Sequence, residues 1–361
     1  MIKGNKGEWS EIYVLFKLLG DGYVNAGDAD LNKIKDLFYP IIMILRQEKY
    51  GSFNYELCNH DVVVQTPKGE ELLRMSASVF LKQAENLLSS INENEGAFSL
   101  PEIEEFMKDI YCYSLKAKST DKTDIKIILH DCRTKLNNEM GFSIKSQLGS
   151  DSTLLNASKA TNFNFKIKGI SLCDDEIREI NSLNPKRNKV LMRVDCIKNK
   201  GGFLEYDKID SPTFRNNLTM LDGDLPTIIA NLLLEQLNSG VSGLKVLSEK
   251  IAKRNPLNYD SDQSSITYQY KIKHLLTSVA LGMMPATAWD GKFEANGGYL
   301  IVKKNGEILC YHFYDRNRFE DYLFTNAYLE RSSTTKHEYA SIIKENDGTL
   351  SFKLNFQIRL K

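Results

Sequence analysis

DIKIILHDCRTKLNNEMGFSIKS, residues 124–146, contains the pair of strand patterns from which the fold can be predicted first. Its two apolar runs, DIKIILHD (124–131) and FSIKS (142–146), are short and contain β-branched residues, and a ten-residue stretch separates them. Such runs are typical of β-strands, so we predict a β-hairpin with a ten-residue connection. Because the start of the first strand of an antiparallel hairpin lies opposite the end of the second, Asp124 and Lys145 can lie side by side.

Further elements follow from hydrophobic periodicity on both sides of this hairpin. Apolar residues at intervals of three and four predict helices, and regular alternation predicts strands. On this basis we predict helices over 8–19 and 70–91, short strands within 38–66, a strand over 161–168 and a hairpin over 299–314. Pro40 disfavours a helix in the strand-rich segment, and Asn305-Gly306 is the turn signal of the second hairpin.

The length and composition predict a folded protein with more than one part. Of the 361 residues, 42% are hydrophobic and 26% are charged, which excludes collagen-like and largely disordered chains. We predict a part at 1–118, an amino-terminal helix and mixed lobe whose first helix packs on the core, and a part at 119–361, the core itself. The predicted class is α+β, with a mixed β-sheet core flanked by helices and an additional lobe.

Missing motifs exclude several classes of function. The start MIKGNKGEWSE has no basic and apolar leader and no apolar run could span a bilayer, so we expect a cytoplasmic protein without membrane contact. The five histidines and six cysteines lack the spacing of zinc sites, and there is no GxxxxGK[ST] or GxGxxG loop for a nucleotide. Equal numbers of basic and acidic residues, 47 of each, predict no general attraction to a polyanion.

An aspartate and a lysine at one sheet edge supply the minimum for hydrolysing a phosphodiester. Such hydrolysis uses a hard cation, usually Mg²⁺, held by carboxylates, and a cationic group that stabilises charge on the attacked phosphorus. Asp124 would hold the metal, and Lys145 would stabilise the charge and orient water. The pattern alone is weakly specific, because a lysine in a strand usually faces solvent and an aspartate before a strand often serves a turn.

Longer blocks around these residues resemble a known family. TDIKIILHD, GFSIKSQLGS with TLLNAS after it, GGYLIVKKNGEILCYHFYDRNRFEDYL and LNFQIRL are similar to Type II restriction endonucleases of the HpaII type, in the PD-(D/E)xK nuclease superfamily. The resemblance extends from KGEWSE to the last strand. It implies a restriction-endonuclease-like core that makes Mg²⁺-dependent double-strand cuts in DNA at a short specific site such as CCGG. It further implies 5′-phosphate and 3′-hydroxyl ends and, for a palindromic site, a homodimer.

One position departs from the superfamily pattern. The pattern has an acidic residue two positions before its lysine, whereas this chain has Ser143-Ile144-Lys145. Because a serine hydroxyl is a poor ligand for Mg²⁺, a second carboxylate has to come from elsewhere in the chain. Otherwise the metal is held by Asp124, the backbone carbonyl of Ile144, phosphate and water.

Glu11 is the first candidate for that second carboxylate. KGEWSE resembles the Lys-Gly-x-x-x-Glu opening helix of related nucleases, whose glutamate reaches the metal centre. Glu8 is the second candidate, and both glutamates could instead be first-turn acids that interact with the helix dipole. Asp131 is the rival of Asp124, but its alternate parity directs it to the other sheet face of a regular strand.

Two segments, 184–193 and 314–337, combine arginine, lysine and asparagine with aromatic residues, as DNA-binding segments do. Arginine can bind guanine O6 and N7 in the major groove, while asparagine and serine favour phosphates. The predicted DNA-binding residues are Arg187, Arg316, Arg318 and Arg331. Each of them can equally belong to a solvated polar loop.

Two alternative functions remain at this stage. Since Ser143 leaves the acidic set incomplete, the chain could be a nuclease-like module that binds DNA without cutting it. It could also be a structure-selective repair nuclease that prefers branched or mismatched duplexes. The absence of net positive charge disfavours the second alternative, because sequence-independent affinity depends on neutralising phosphates.

Overall fold

The computed structural model describes residues 1–116, 123–131, 135–185, 188–293, 296–331 and 339–361. Helices and sheets are both present, in agreement with the predicted α+β class. The chain forms two compact units: unit 1 is Met1–Ser152 with Phe293–Tyr322, and unit 2 is Thr153–Lys292 with Leu323–Lys361. The predicted boundary near residue 118 lies outside the described residues.

The helices and strands have the following bounds. The helices are α1 Lys6–Asp21, α2 Ala77–Glu93, α3 Pro101–Asp109, α4 Asp174–Ser182, α5 Lys189–Asn199, α6 Pro212–Leu221, α7 Leu225–Ser239, α8 Leu244–Arg254, α9 Ser264–Leu281 and α10 Arg316–Asn326. The strands are β1 Gly4–Asn5, β2 Tyr23–Gly27, β3 Lys33–Glu48, β4 Gly51–Cys58, β5 Asp61–Gln65, β6 Glu71–Ser76, β7 Ala97–Phe98, β8 Ile125–Asp131, β9 Leu136–Ser146, β10 Ser152–Leu155, β11 Asn162–Lys168, β12 Phe203–Ile209, β13 Gly298–Val302, β14 Ile308–His312, β15 Ala327–Leu329, β16 Ile342–Lys344, β17 Leu350–Asn355 and β18 Ile358–Leu360.

Unit 1 is built on a nine-stranded mixed sheet. Its strand order is β2-β14-β13-β9-β8-β3-β4-β5-β6, with β13 parallel to β9 and β14 parallel to β2. The predicted hairpin is β8 and β9, which pair antiparallel from Ile125 opposite Phe142 to Asp131 opposite Leu136. Since β9 continues to Ser146, its last residues extend past the start of β8 and form a rim of the sheet.

A helical layer covers this sheet and buries its own apolar stripe. Trp9, Ile12 and Phe16 of α1 are 0% exposed, as the periodicity of that helix predicted. The ring of Phe16 lies 5.2 Å from that of Phe106 in α3 and 6.4 Å from that of Phe80 in α2. Burial of each large apolar side chain contributes roughly 1.5–3 kcal/mol, so these contacts fix α1 against the other helices.

Two predicted elements have different bounds in the structure. The helix predicted over 70–91 begins only at Ala77, because Glu71–Ser76 pairs with β5 as an edge strand of the sheet. The connection of the first hairpin is also shorter than the ten residues predicted. The second strand already begins at Leu136, where the antiparallel pairing with Asp131 starts.

Unit 2 contains the helices α4 to α9 and two smaller sheets. One sheet has the order β12-β11-β17-β16, and the other has the order β10-β18-β15. The alternation that predicted β11 places Phe163, Phe165 and Ile167 in the interior. Among the residues that the structure describes, no helix is both long and apolar enough to cross a lipid bilayer.

Candidate active site

The first turn of α1 is fixed by a capping box. The side chain of Asn5 accepts a hydrogen bond from the Glu8 N–H at 3.1 Å, and Glu8 Oε2 accepts one from the Asn5 N–H at 2.9 Å. These bonds satisfy backbone donors that a helix start leaves without partners. Glu8 is therefore held at the helix start, and Glu11 lies almost one turn further along.

Two serine hydroxyls join α1 to β9 beside the predicted catalytic residues. Ser10 Oγ and Ser146 Oγ are 2.8 Å apart, and Ser10 is 0% exposed. Ser10 Oγ donates its proton to the carbonyl of Lys6 at 2.7 Å, so Ser146 must be the donor to Ser10. Because Ser10 precedes Glu11 and Ser146 follows Lys145, this contact sets where Glu11 and Lys145 lie relative to each other.

Asp124 lies at the point where β9 passes the start of β8. Its backbone N–H donates to the Phe142 carbonyl at 2.9 Å, which extends the hairpin ladder by one bond. Its Oδ2 accepts a hydrogen bond from the Ile144 N–H at 2.7 Å. The carbonyl of Ile144 lies on the same side of the strand as its N–H, as in any extended strand, and therefore faces the Asp124 side of the rim.

Lys145 is held over an aromatic ring of the neighbouring strand. In the parallel pairing of β9 with β13, Ser143 lies opposite Tyr299 and Lys145 lies opposite Ile301. The ammonium of Lys145 is 4.9 Å from the ring centroid of Tyr299, a residue that is 2% exposed. Burial lowers the pKa of Lys145, although the charges of Asp124 and Glu11 act in the opposite direction.

Glu11 has the most perturbed carboxyl group of this region. Burial and then the negative charge of Asp124 raise its pKa from 4.5 to about 8, while the charges of Lys116 and Arg46 lower it. A carboxyl group whose ionisation is disfavoured by burial and by a neighbouring carboxylate, close to a partly buried lysine, is typical of functional sites. The structure thus brings Glu11, Asp124 and Lys145 into one electrostatically coupled group.

These three residues open into a cleft of about 850 Å³ within unit 1. The charged residues that line it are Lys6, Glu8, Glu11, Glu95, Lys116, Asp124 and Lys145, and the lining also includes Ile144 and residues 149–150. The cleft holds both cationic and anionic groups, as a site for a phosphodiester and a metal ion requires.

The oxygen atoms of this cleft fit a hard divalent cation. Mg²⁺ is usually bound by one or two carboxylates, with water and substrate phosphate completing its octahedron. Asp124, Glu11 and the carbonyl of Ile144 offer such a set, and a cation between the carboxylates would offset the repulsion that raises the pKa of Glu11. In the part of the chain that the structure describes, no three His, Cys, Asp or Glu side chains converge as a complete protein-only metal site.

Comparison with known proteins identifies the family. The model of the HpaII restriction endonuclease family matches residues 5–360. The chain belongs to the HpaII restriction endonuclease family. Its curated relative, the Type II restriction enzyme HpaII of Haemophilus parainfluenzae, is 45% identical over 358 residues, which are 99% of this chain and 98% of the relative. No solved structure matches the chain. The family predicted from the sequence is confirmed, and with it the prediction of a restriction endonuclease.

Of the secondary candidates in this HpaII family member, Glu8 lines the cleft and Ser143 and Asp131 do not. Ser143 is 7% exposed, and Asp131 is 5% exposed at the far end of β8, opposite Leu136. Neither is among the described residues that line the cleft. Glu8 does line it, but its Oε2 is engaged in the capping box and its Oε1 lies 3.4 Å from the ammonium of Lys116.

Three of the four arginines predicted to bind DNA have partners within the protein. Arg316 pairs with Glu320 at 2.6 Å, Arg318 pairs with Asp315 at 2.7 Å, and Arg331 donates to the carbonyl of Gln236 at 3.3 Å. Arg187 lies outside the described residues. Their role in binding DNA stays a prediction.

Sequence reasoning missed four residues that position or extend this site. Ser10 and Ser146 are each adjacent to a predicted residue, but a serine in a helix or strand carries no signal of its own. Lys116 lines the cleft, and Tyr299 lies beneath Lys145 without lining the cleft itself. Only the strand pairing and the packing of the chain bring them to Lys145 and Glu8.

Proposed function

We propose that Asp124, Glu11 and Lys145 form the catalytic centre with which this restriction endonuclease hydrolyses both strands of DNA at a short specific site. The observation that carries this proposal is their coupling in one open cleft. Burial acts on the pKa of Glu11 and of Lys145, and the charge of Asp124 acts on both. Membership of a restriction endonuclease family supports cleavage over the alternative of a module that only binds DNA.

Asp124, Glu11 and the carbonyl of Ile144 would hold Mg²⁺ in this proposal. The chemistry supplied by a divalent ion at these oxygens is polarisation of the scissile phosphate. The hydrogen bond from the Ile144 N–H keeps the Asp124 carboxylate in place before any ligand binds. Such preorganisation lowers the cost of assembling the site around the substrate.

Lys145 would donate a hydrogen bond to a non-bridging oxygen of the scissile phosphate. Water attacks the phosphorus, the bond from phosphorus to the 3′ oxygen breaks, and the leaving oxygen takes up a proton. The products are a 5′-phosphate and a 3′-hydroxyl. Lys145 is partly buried and its ammonium lies over the ring of Tyr299, so its interaction with the developing charge is less screened than in water.

The proposal also covers the DNA sequence that is cut and the oligomeric state of the enzyme. The similarity to the HpaII type supports a C/G-rich site such as CCGG. A palindromic site of this kind presents two equivalent phosphodiesters related by a two-fold axis, which supports a homodimer with one centre for each strand. Sequencing the ends of the fragments from digested genomic DNA will identify the site and the position of the cut.

The test of the catalytic centre is plasmid cleavage by Asp124→Asn. Asparagine retains an acceptor for the Ile144 N–H but removes the charge, so we expect discrete fragments from the wild type with Mg²⁺ and at least roughly 10²-fold slower cleavage by the variant. Chelation by EDTA should stop the wild type, and added Mg²⁺ should restore it. Asp109→Asn, at an exposed position of α3, is the matched control and should cut normally. Normal cleavage by a folded Asp124→Asn would contradict the proposed centre.

A further inference from the structure

Lys116 is a cationic wall residue of the cleft that the proposed chemistry leaves without a task. Its ammonium lies 3.4 Å from Glu8 Oε1, and its side chain is 61% exposed. Its charge also reaches Glu11, whose pKa it lowers. An exposed lysine in a cleft that is proposed to receive DNA has a ligand of suitable chemistry close by, because DNA carries a negative charge at each phosphate.

A buried ion pair fixes the backbone from which Lys116 projects. The side chains of Arg46 and Glu48 on β3 are 4% and 0% exposed and bind each other. Arg46 Nη2 donates to the carbonyls of Ser114 and Leu115, and Ser114 Oγ donates to Glu48 Oε2 at 2.7 Å. Buried charges with several hydrogen bonds hold their partners in place, so only the side chain of Lys116 has to be ordered when it binds a ligand.

Glu8, the partner of Lys116 in the exposed ion pair, is also held in place. Its Oε2 accepts from the Asn5 N–H, so the carboxylate stays at the start of α1 while Oε1 faces Lys116. An ion pair this exposed contributes little to stability, because water and salt screen it. A phosphate could therefore replace Glu8 as the partner of Lys116 at little cost.

We propose that Lys116 exchanges Glu8 for a backbone phosphate of the bound DNA strand, an inference that rests on the proposed function of the cleft. Lys116 is then a substrate-binding residue, and the Arg46–Glu48 pair positions it. Glu8 opposes the exchange in two ways, since it neutralises Lys116 in the free enzyme and repels the incoming phosphate. The two members of the pair should consequently affect DNA binding in opposite directions.

The experiment measures the dissociation constants of two labelled 30-base-pair duplexes, one with and one without CCGG. It uses the full chain in EDTA, so that both duplexes stay intact, at 50 to 200 mM NaCl. Lys116→Gln should weaken binding to both duplexes alike. It should also make the dependence of the binding constant on salt concentration less steep, by the amount that one phosphate contact contributes. The wild-type advantage over this variant should shrink about 3.5-fold over that salt range, which is the effect of one phosphate contact.

Glu8→Gln should instead strengthen binding to both duplexes several-fold. Glutamine at this helix position still serves a capping box, so the start of α1 is preserved. Lys116→Arg should restore binding, and Lys108→Gln, at an exposed position of α3, should leave it unchanged. Melting temperatures close to that of the wild type verify that each variant is folded.

The outcomes separate this inference from the proposed function. If the wild type binds and cuts DNA but Lys116→Gln and Glu8→Gln both weaken binding, or both leave it unchanged, the exchange is overturned and the proposed function stands. A structural ion pair gives that result, because losing either member has the same consequence. If the wild type neither binds the duplexes nor cuts a plasmid with Mg²⁺, the proposed function fails, and the exchange fails with it.

Discussion

Two lysines of this chain have the same kinds of neighbour, Lys145 in unit 1 and Lys271 in unit 2. Each ammonium faces a tyrosine ring, at 4.9 Å from Tyr299 for Lys145 and at 5.3 Å from Tyr259 for Lys271. Each also interacts with two carboxylates. The pKa values nevertheless move in opposite directions, and the difference separates a structural cluster from a candidate active site.

Lys271 belongs to a cluster whose charges satisfy one another. Its ammonium lies 2.8 Å from Asp222 and 2.7 Å from Asp224, and the hydroxyl of Tyr259 donates to Asp224 at 2.6 Å. Burial disfavours the charge of Lys271, but the hydrogen bonds to both aspartates outweigh it and raise the pKa. The cluster links Lys271 of α9 to Asp222 and Asp224 just before α7, and its groups already have partners within the protein.

Lys145 shows the opposite balance. The charges of Asp124 and Glu11 favour its ammonium, yet burial outweighs them and lowers the pKa. Glu11 is disfavoured as an anion for the same reason, and its pKa rises to about 8. Groups that remain poorly compensated in the free protein gain most from a phosphate and a metal ion, which is the expectation for a catalytic centre.

The largest expected effect is the difference in cleavage rate between two alanine variants, one at each lysine. Lys145→Ala should slow cleavage roughly 10²- to 10³-fold without lowering the melting temperature, because it removes a partly buried charge that its neighbours compensate poorly. Lys271→Ala should leave the cleavage rate unchanged and lower the free energy of unfolding by about 1 kcal/mol, since its partners stay partly hydrated. Plasmid cleavage and urea unfolding of both variants provide the measurements. Similar losses of stability in both would remove the distinction between the two clusters.

A smaller effect is expected in the pH dependence of stability. Since the pKa of Glu11 is raised from 4.5 to about 8, the folded protein holds this proton more tightly than the unfolded chain does. The resulting contribution to the free energy of unfolding is complete below pH 4.5 and is lost as the pH rises through 8. Between these values the free energy of unfolding falls by up to about 1.4 kcal/mol per pH unit. Unfolding by urea in EDTA, from pH 5 to 8, measures it.

The variant Glu11→Gln removes this titration and should lack that part of the pH dependence. Glu105→Gln, at an exposed position of α3, should retain the wild-type profile. Mg²⁺ at pH 8 should stabilise the wild type more than Glu11→Gln, because a ligand that binds only the folded state adds to its stability. Parallel profiles for the wild type and Glu11→Gln would show that Glu11 is an ordinary surface acid.

The fold could be predicted where a signal lies within one short stretch of sequence. The short apolar run with β-branched residues at 124–131 and the Asn305-Gly306 turn are such signals, and both hairpins are present. The strand at Glu71–Ser76 was missed because its adjacent apolar residues, Leu72 and Leu73, also fit the apolar face of a helix. Pairing with β5 makes this segment a strand rather than a helix, and the pattern of apolar residues within the segment does not reveal that pairing.

The candidate site could be predicted only in part for a related reason. Residue types and spacing indicated Asp124 and Lys145, and the family resemblance supported them and added Glu11. Their pKa shifts depend on burial and on neighbours from other elements, as the 4.9 Å contact between Lys145 and Tyr299 illustrates. No spacing within one strand could have predicted that contact.

Tyr299 and Tyr259 provide the smallest expected effects, because the aromatic ring should matter at Tyr299 and the hydroxyl at Tyr259. Tyr299→Phe keeps a ring beneath Lys145 and should retain most of the activity, whereas Tyr299→Leu removes the cation–π contact and should lower kcat about tenfold, with KM little changed. Without the ring the ammonium is less stable, so the pKa of Lys145 falls further and the alkaline limb of the pH–rate profile should move to lower pH. Tyr259→Phe loses the hydrogen bond to Asp224, which should cost about 1 kcal/mol of stability and leave cleavage unchanged. A merely structural role of Tyr299 would lower the melting temperature without moving the pH profile, and that result would place Lys145 in the same class as Lys271.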